Sequence, residues 1–351
     1  MKKNLIALAV LAAAGAASAQ SSVTLYGIAD AYVGSLKDTI NLNAPVSPSQ
    51  TVVNTGGLSS SRWGMKGTED LGNGLKANFQ LEGQFSTDSG AQSGDLFGRK
   101  STVGLSGNFG SVDVGRNYTA LQSLRAATNN IADTNLSMTG DVWAAGTTYA
   151  DGKVSKSGDY ALRVSNSVRF DSNVYNGFSG SVAYGFGENK ATGKDSTDNL
   201  SLHVKYANGP LLVGYAHQTE KQATVASSKY NLFGATYNFG VAKLVGAYQT
   251  VKRAQSVGNG GEDKEYQVGV EAPFGAFTFY AGYADSKNET TAGASVEERS
   301  GYTLAATYAL SKRTTAYAGY KSVEVDAVGT GAAQAKGNEI SQLAIGVRHA
   351  F

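Results

Sequence analysis

Between Leu75 and Phe85 the chain alternates. Leu75, Ala77, Phe79, Leu81 and Phe85 fall on one face, and Lys76, Asn78, Gln80, Glu82 and Gln84 on the other. A period of two is that of a β-strand whose faces meet different surroundings. The pattern recurs. Leu162, Val164, Val168 and Phe170 oppose Arg163, Ser165, Ser167, Arg169 and Asp171, while Leu200, Leu202, Val204 and Tyr206 oppose Ser201, His203 and Lys205. The chain ends in the same way, with Leu343, Ile345, Val347 and His349 alternating against Gln342, Ala344, Gly346, Arg348 and Ala350 before a terminal Phe351.

This alternation predicts sixteen strands, over roughly 22–35, 59–70, 73–87, 97–107, 110–118, 160–171, 176–186, 198–207, 209–219, 228–238, 240–251, 264–271, 274–286, 299–309, 313–325 and 338–351. Short turns such as Gly72-Asn73-Gly74, Asn108-Phe109-Gly110, Asn176-Gly177, Asn208-Gly209-Pro210 and Phe274-Gly275 carry turn chemistry. They alternate with longer polar loops near 36–58, 88–96, 119–159, 187–197, 220–227, 252–263, 287–298 and 326–337. Short turns on one side and long loops on the other are the outer-membrane pattern. An even strand count lets the last strand pair with the first, which removes the edges that lipid cannot satisfy. About ten residues tilted near 40° span about 25 Å, the height of an apolar band. The expected fold is all-β: a 16-stranded antiparallel transmembrane β-barrel, wide enough for an aqueous channel.

Composition adds three points. Residues 1–19 read as a signal peptide, with Lys2 and Lys3, an apolar run from Leu5 to Ala14, and Ala17-Ser18-Ala19 as cleavage site; the barrel would occupy 20–351. Loss of Lys2 and Lys3 takes the formal net charge from +2 to zero, so charge gives no argument for nucleic acid as a partner. Cysteine is absent, which excludes a disulfide framework and thiolate metal sites. Only 4 prolines among 351 residues suit a chain made mostly of ladder-bonded strand, and 19 tyrosines suit interfacial girdles.

The long loop from Thr119 to Asp159 holds Leu121, Leu124, Ile131, Leu136, Met138, Val142 and Trp143. A loop in water has no use for so many apolar groups. The expectation is that this third external loop folds inward, narrows the bore and brings Asp133 and Asp141 into it. A surface flap or a contact to a neighbouring subunit is the alternative.

Arg62, Glu82, Arg99 and Arg163 each stand about eight residues from the short turn of their own strand, hence about 20 Å up at similar height. Parity puts them in the lumen, with Lys66 on the face of Arg62 and Ser101 on that of Arg99. Arg116 has the parity of Val112 and Val114 and needs a bulge to turn inward. In a narrow low-dielectric bore such a cluster acts strongly on passing ions, and excess arginine favours anions. Ordinary lumen charge is the plainer alternative.

The segments Ser22–Gly27, Ser61–Gly67, Leu96–Lys100, Val103–Ser106, Val114–Tyr118, Asn166–Phe170 and Gly346–Phe351 resemble the Gram-negative trimeric porins, most closely the β-proteobacterial and neisserial branch. The resemblance implies a homotrimer in the outer membrane, multi-pass, whose third external loop faces a basic cluster. Arg62, Arg99 and Arg163 fall on segments similar to the family's arginine positions, and Glu82 on that of an acidic wall residue. A Pro-Glu-Phe-Gly type loop motif is absent. The partners it implies are outer-membrane lipid and lipopolysaccharide, the barrel-assembly machinery, with Phe351 as assembly signal, and small hydrophilic solutes and ions diffusing passively.

Other functions stay open at this point. A sugar, oligopeptide or organic-anion channel would use an aromatic track; Tyr26 and Tyr32 share a face with Asp30, but the tyrosines form no continuous slide. An adhesin or phage receptor would not need the arginine cluster. An outer-membrane hydrolase would need a catalytic histidine, and His203, His217 and His349 come with no nucleophile elbow. No cofactor is expected, although Glu262 and Asp263 are acids that a Ca²⁺ would use.

Overall fold

In this computed structural model, residues 22–39, 49–131, 134–143, 160–193, 196–221, 227–253, 261–293, 295–327 and 338–351 are described. The segment read as a signal peptide lies outside them. The strands are β1 Ser22–Asp38, β2 Gln50–Thr55, β3 Arg62–Gly72, β4 Leu75–Phe85, β5 Gln92–Ser93, β6 Lys100–Gly107, β7 Gly110–Tyr118, β8 Arg163–Asp171, β9 Phe178–Gly185, β10 Asn199–Asn208, β11 Leu211–Glu220, β12 Ser228–Asn238, β13 Lys243–Arg253, β14 Gly261–Phe274, β15 Phe277–Glu289, β16 Ser295–Ala309, β17 Thr314–Ala327 and β18 Asn338–Ala350. Helix α1 covers Ala120–Ala127 and α2 covers Thr139–Val142.

With β5 set aside as a short ancillary piece, and β2 and β3 counted as one strand, sixteen strands form one closed antiparallel ring. β1 pairs with β3 on one side and with β18 on the other, where Ala29 faces His349 and Val33 faces Ile345. All sixteen expected spans exist. Alternation sets their faces: Val103, Phe233, Val268, Leu304 and Ile345 are half or more exposed on the outer surface, while Thr102, Leu232, Gln267, Thr303 and Ala344 beside them are buried inside. Asn73 and Gly74 (φ 53° and 78°), and Asn176 and Gly177 (φ 48° and 86°), take the positive φ that a two-residue hairpin turn requires.

The expected loop at 36–58 is the main departure. β1 continues to Asp38, and Gln50–Thr55 is a strand pairing with Ala31 to Leu36. β2 and β3 are therefore one spanning strand, interrupted by residues 56–61. Gln50-Thr-Val-Val-Asn-Thr55 alternates too weakly to announce itself.

The described part of the long loop packs on the inner wall. Leu121, Leu124, Met138, Val142 and Trp143 are at most 2% exposed, clustered with Ala216, Leu232, Val251, Ala284 and Val323 of the wall, and the fully buried Leu136 clusters with Tyr32, Ala305 and Ala344. Removing each from water stabilises by about 1.5–3 kcal/mol, which favours this position over a solvated flap. Wall residues also catch the loop backbone: Ser201 Oγ accepts from Leu121 N (2.9 Å), Gln267 Nε2 donates to Thr128 O (2.7 Å) and Thr303 Oγ1 donates to Leu136 O (2.8 Å). Inward-facing glycines make the seat. A Cβ at Gly214 would come 2.5 Å from Leu124, at Gly234 2.4 Å from Thr128, at Gly282 2.4 Å from Met138 and at Gly319 2.6 Å from Leu136.

Candidate pore constriction

Glu82, on the inward face of β4, is the hub of the charged cluster. Its Oε1 accepts from Arg99 Nε at 2.7 Å, its Oε2 accepts from the Tyr26 hydroxyl at 2.9 Å, and Arg62 Nε lies 3.9 Å away. Gly64 stands opposite Glu82, and its missing side chain gives Tyr26 room: a Cβ there would sit 2.8 Å from the tyrosine oxygen. Lys66, two residues along, is exposed and lies 5.3 Å from the Tyr26 ring centre, so it touches the cluster through that ring.

Arg99 continues the chain. It donates to Gln84 Oε1 (2.8 Å) and to the Tyr118 hydroxyl (3.0 Å), and the same hydroxyl accepts from Arg163 at 2.9 Å. Arg163 stacks on the Tyr118 ring, 4.4 Å from its centre. Arg62, Glu82, Arg99 and Arg163, the four residues singled out from equal height, thus stand in one network, joined through Glu82 and Tyr118. The path of Arg99 is not the one expected. Ser101 shares the outward parity of Val103 (63% exposed), so strand alternation would send Arg99 outward. Arg99 instead precedes β6, where the Asp95–Gly98 turn and a bond from its own N–H to Glu82 O aim it inward.

Arg116 remains apart from this network. A bulge with Gly115 at φ 128° precedes it, and its guanidinium donates to Gly98 O (2.6 Å) and Ser165 Oγ (2.8 Å). Asp141 is a correction. Its carboxylate is taken by Lys321 on the wall, and its carbonyl accepts from Arg299 (2.8 Å), so it does not face the arginines across the bore. Asp133 lies outside the described residues. Glu262 and Asp263 do not form a joint cation site, because alternation sends them to opposite faces; the buried Asp263 pairs with Arg253 at 2.9 Å.

Two spaces separate the arginines from the loop. One, of about 310 Å³, lies between Arg62, Arg99 and Tyr118 and the α1 residues Gln122, Ser123 and Ala126. The other, of about 300 Å³, lies between Arg99 and Arg163 and the loop residues Asn135, Ser137 and Gly140. Among the described residues no loop carboxylate lines either.

Asp30 shapes the site and is a residue that parity alone could not single out. Fully buried on β1, its carboxylate accepts from the N–H groups of Gly57 (3.1 Å), Leu58 (3.0 Å) and Ser59 (2.7 Å) and from the Tyr317 hydroxyl. It thereby folds the 56–61 interruption inward. That segment then serves both sides of the bore. Ser59 Oγ and Ser60 O hold Arg62 (3.3 and 3.1 Å), and Gly56 O and Gly57 O hold the loop at Asn135 N and Leu136 N (3.0 and 3.3 Å).

A closed sixteen-strand barrel with an apolar exterior, and a polar lumen against which a long loop packs, is the architecture of an outer-membrane diffusion channel. The sequence profile of the Gram-negative porin family matches residues 6–328. Outer membrane porin protein 32 of Delftia acidovorans is 36% identical over the whole of both chains. The major outer membrane protein P.IB of Neisseria meningitidis is 30% identical, with 90% of this chain and 91% of that protein covered. Among solved structures, the anion-selective porin from Comamonas acidovorans superposes with a TM-score of 0.78 at 32% identity, over 95% of this chain and all of the other. The chain belongs to the Gram-negative porin family: it is an outer-membrane porin, a water-filled channel for passive diffusion of small hydrophilic solutes and ions.

Proposed function

We propose that Arg62, Arg99 and Arg163, with Glu82 and Tyr118, form the selective constriction of this channel, and that it prefers anions. One observation carries the reading: two guanidinium groups, of Arg62 and Arg99, share a single carboxylate, Glu82, while Arg163 beside them has, among the described residues, only the neutral Tyr118 hydroxyl and ring. Among the described residues of the loop no carboxylate restores the balance, since Lys321 neutralises Asp141. An anion about 4 Å from an uncompensated guanidinium gains about 1 kcal/mol in bulk water and about 4 kcal/mol at an effective dielectric near 20. Lys66 adds a further positive charge on the same face. Arg116 acts on the wall above Gly98 rather than on the passing ion. The likeness to a porin described as anion-selective supports the same sign.

The assembly proposed is a homotrimer, as the family resemblance implies, and planar-bilayer recordings should show conductance in groups of three steps. The selective reading is tested by replacing Arg62, Arg99 and Arg163 together by Gln. The reversal potential in a salt gradient should move toward cations while folded protein still forms. An unchanged anion preference would reduce the cluster to ordinary lumen charge.

A further inference from the structure

A fourth guanidinium faces the bore from the closing seam. Arg348 lies on β18, where Ile345 and Val347 are exposed on the outer surface and Gln342 and Ala344 are buried on the inner one. Alternation places Arg348 on that inner face. Gly346, the inner position before it, lies under the Tyr317 ring, whose hydroxyl reaches the buried Asp30.

The neighbouring strands give Arg348 no counter-charge. Across to β1 it stands directly opposite Asp30, and across to β17 directly opposite Thr315. Opposite charges facing each other on adjoining strands ordinarily attract. Here the Asp30 carboxylate is already filled by the N–H groups of Gly57, Leu58 and Ser59 and by the Tyr317 hydroxyl. Half-buried, Arg348 has no hydrogen-bond or ion-pair partner among the described residues.

The constriction is close by. One cross-strand row runs from Arg62 through Ile28 to Ala350, and Arg348 is the next inward position on β18. Ile28 and Ala350 carry no charge, and the charge of Arg348 is felt at Arg62. Arg62 is held by Ser59 and Ser60, Arg99 by Glu82, Gln84 and Tyr118, and Arg163 by Tyr118. Among the described residues nothing holds Arg348 in this way, so its charge is neither shared with a carboxylate nor fixed in one direction.

We propose that Arg348 is a further selectivity-determining residue of this channel, adding from the seam side an uncompensated positive charge that passing anions meet. A fixed charge beside a narrow low-dielectric bore acts strongly on the ions within it. This role rests on the reading of the bore as anion-preferring.

The chain contains no cysteine, so a single cysteine placed at this position can be modified alone. The test takes Arg348→Cys channels in planar bilayers and reads the zero-current potential across a tenfold KCl gradient. It is read before and after a cationic methanethiosulfonate carrying a trimethylammonium group, and separately an anionic one carrying a sulfonate. The unmodified variant should show a chloride-to-potassium permeability ratio lower by about twofold or more than wild type. The cationic reagent should bring the ratio back toward wild type, and the anionic reagent should lower it further. Each channel serves as its own control, so folding does not enter the comparison. Arg348→Lys should keep the wild-type ratio, and Arg348→Gln should match the unmodified cysteine variant if that variant assembles poorly. A wild-type ratio in Arg348→Cys or Arg348→Gln would overturn the proposal. So would a lowered ratio that neither reagent changes, because the side chain would then act through the fold and not from the bore. If the channel proved to prefer cations, the two reagents should still move the ratio in opposite directions, which separates failure of the selectivity reading from failure of this one.

Discussion

The Tyr317 hydroxyl donates to Asp30 Oδ1 at 2.5 Å, joining β17 to β1 across the intervening β18. The ring passes over Gly346, where a Cβ would sit 2.5 Å from it. One buried carboxylate thus ties the closing seam of the barrel to the 56–61 segment, and through it to Arg62 and the loop. Asp30→Asn keeps the shape but turns an N–H toward donors. Bonds to a charged group contribute about 1.5–3 kcal/mol each. The folded form should convert at lower temperature on a denaturing gel, and conductance should change because both sides of the bore hang on this segment. Tyr317→Phe should lower the conversion temperature less and leave reversal potential unaltered. Wild-type conductance in Asp30→Asn would separate the segment from the constriction.

The Lys321–Asp141 pair is nearly buried, with side-chain exposures of 4% and 14%. Removing one partner of such a pair costs about 3–5 kcal/mol, whereas removing both is often near neutral. Lys321→Gln alone should loosen the loop and expose a carboxylate to the bore, lowering anion preference. Adding Asp141→Asn should restore both stability and selectivity. Additive losses in the double variant would show that the two residues act independently.

The sixteen spans were legible because lipid and lumen impose opposite demands on successive residues, and Arg62, Glu82 and Arg163 were legible because parity and distance from the turns locate them. The rest was hidden where that alternation stops. Arg99 enters through a turn, Arg116 follows a bulge, and residues 56–61 are folded by Asp30, a residue with no motif of its own. Asp141 was misread because its partner, Lys321, is 180 positions away. Tyr118 looked like the end of a strand; only the structure shows it between two arginines.

Gly282 is a seat for Met138 and Asn130, with a Cβ meeting them at 2.4 and 2.9 Å. Gly282→Val should push the loop off the wall toward the arginines. Single-channel conductance should fall, and large sugars should enter liposomes more slowly, while barrel assembly persists. Unchanged permeation would mean that the loop position does not limit the bore.

Phe351 lies on the outer face at the seam, its backbone N–H and carbonyl bonded to Gly27 (both 3.0 Å) and its ring filling the space above that glycine. The half-exposed ring contributes at most about 1.5–3 kcal/mol by burial, little beside the closed ladder. Deleting Phe351 should therefore reduce the folded protein reaching the outer membrane in cells while leaving the conductance of what does fold unchanged. Wild-type yield would make the residue lipid-facing filler.

The central claim is that uncompensated guanidinium groups at the constriction set the sign of selectivity. The direct measurement is the zero-current potential of the wild-type channel across a tenfold KCl gradient. The account predicts the sign that chloride permeation imposes, decreasing in size as salt screens the arginines. A potential of the sign imposed by potassium would contradict it.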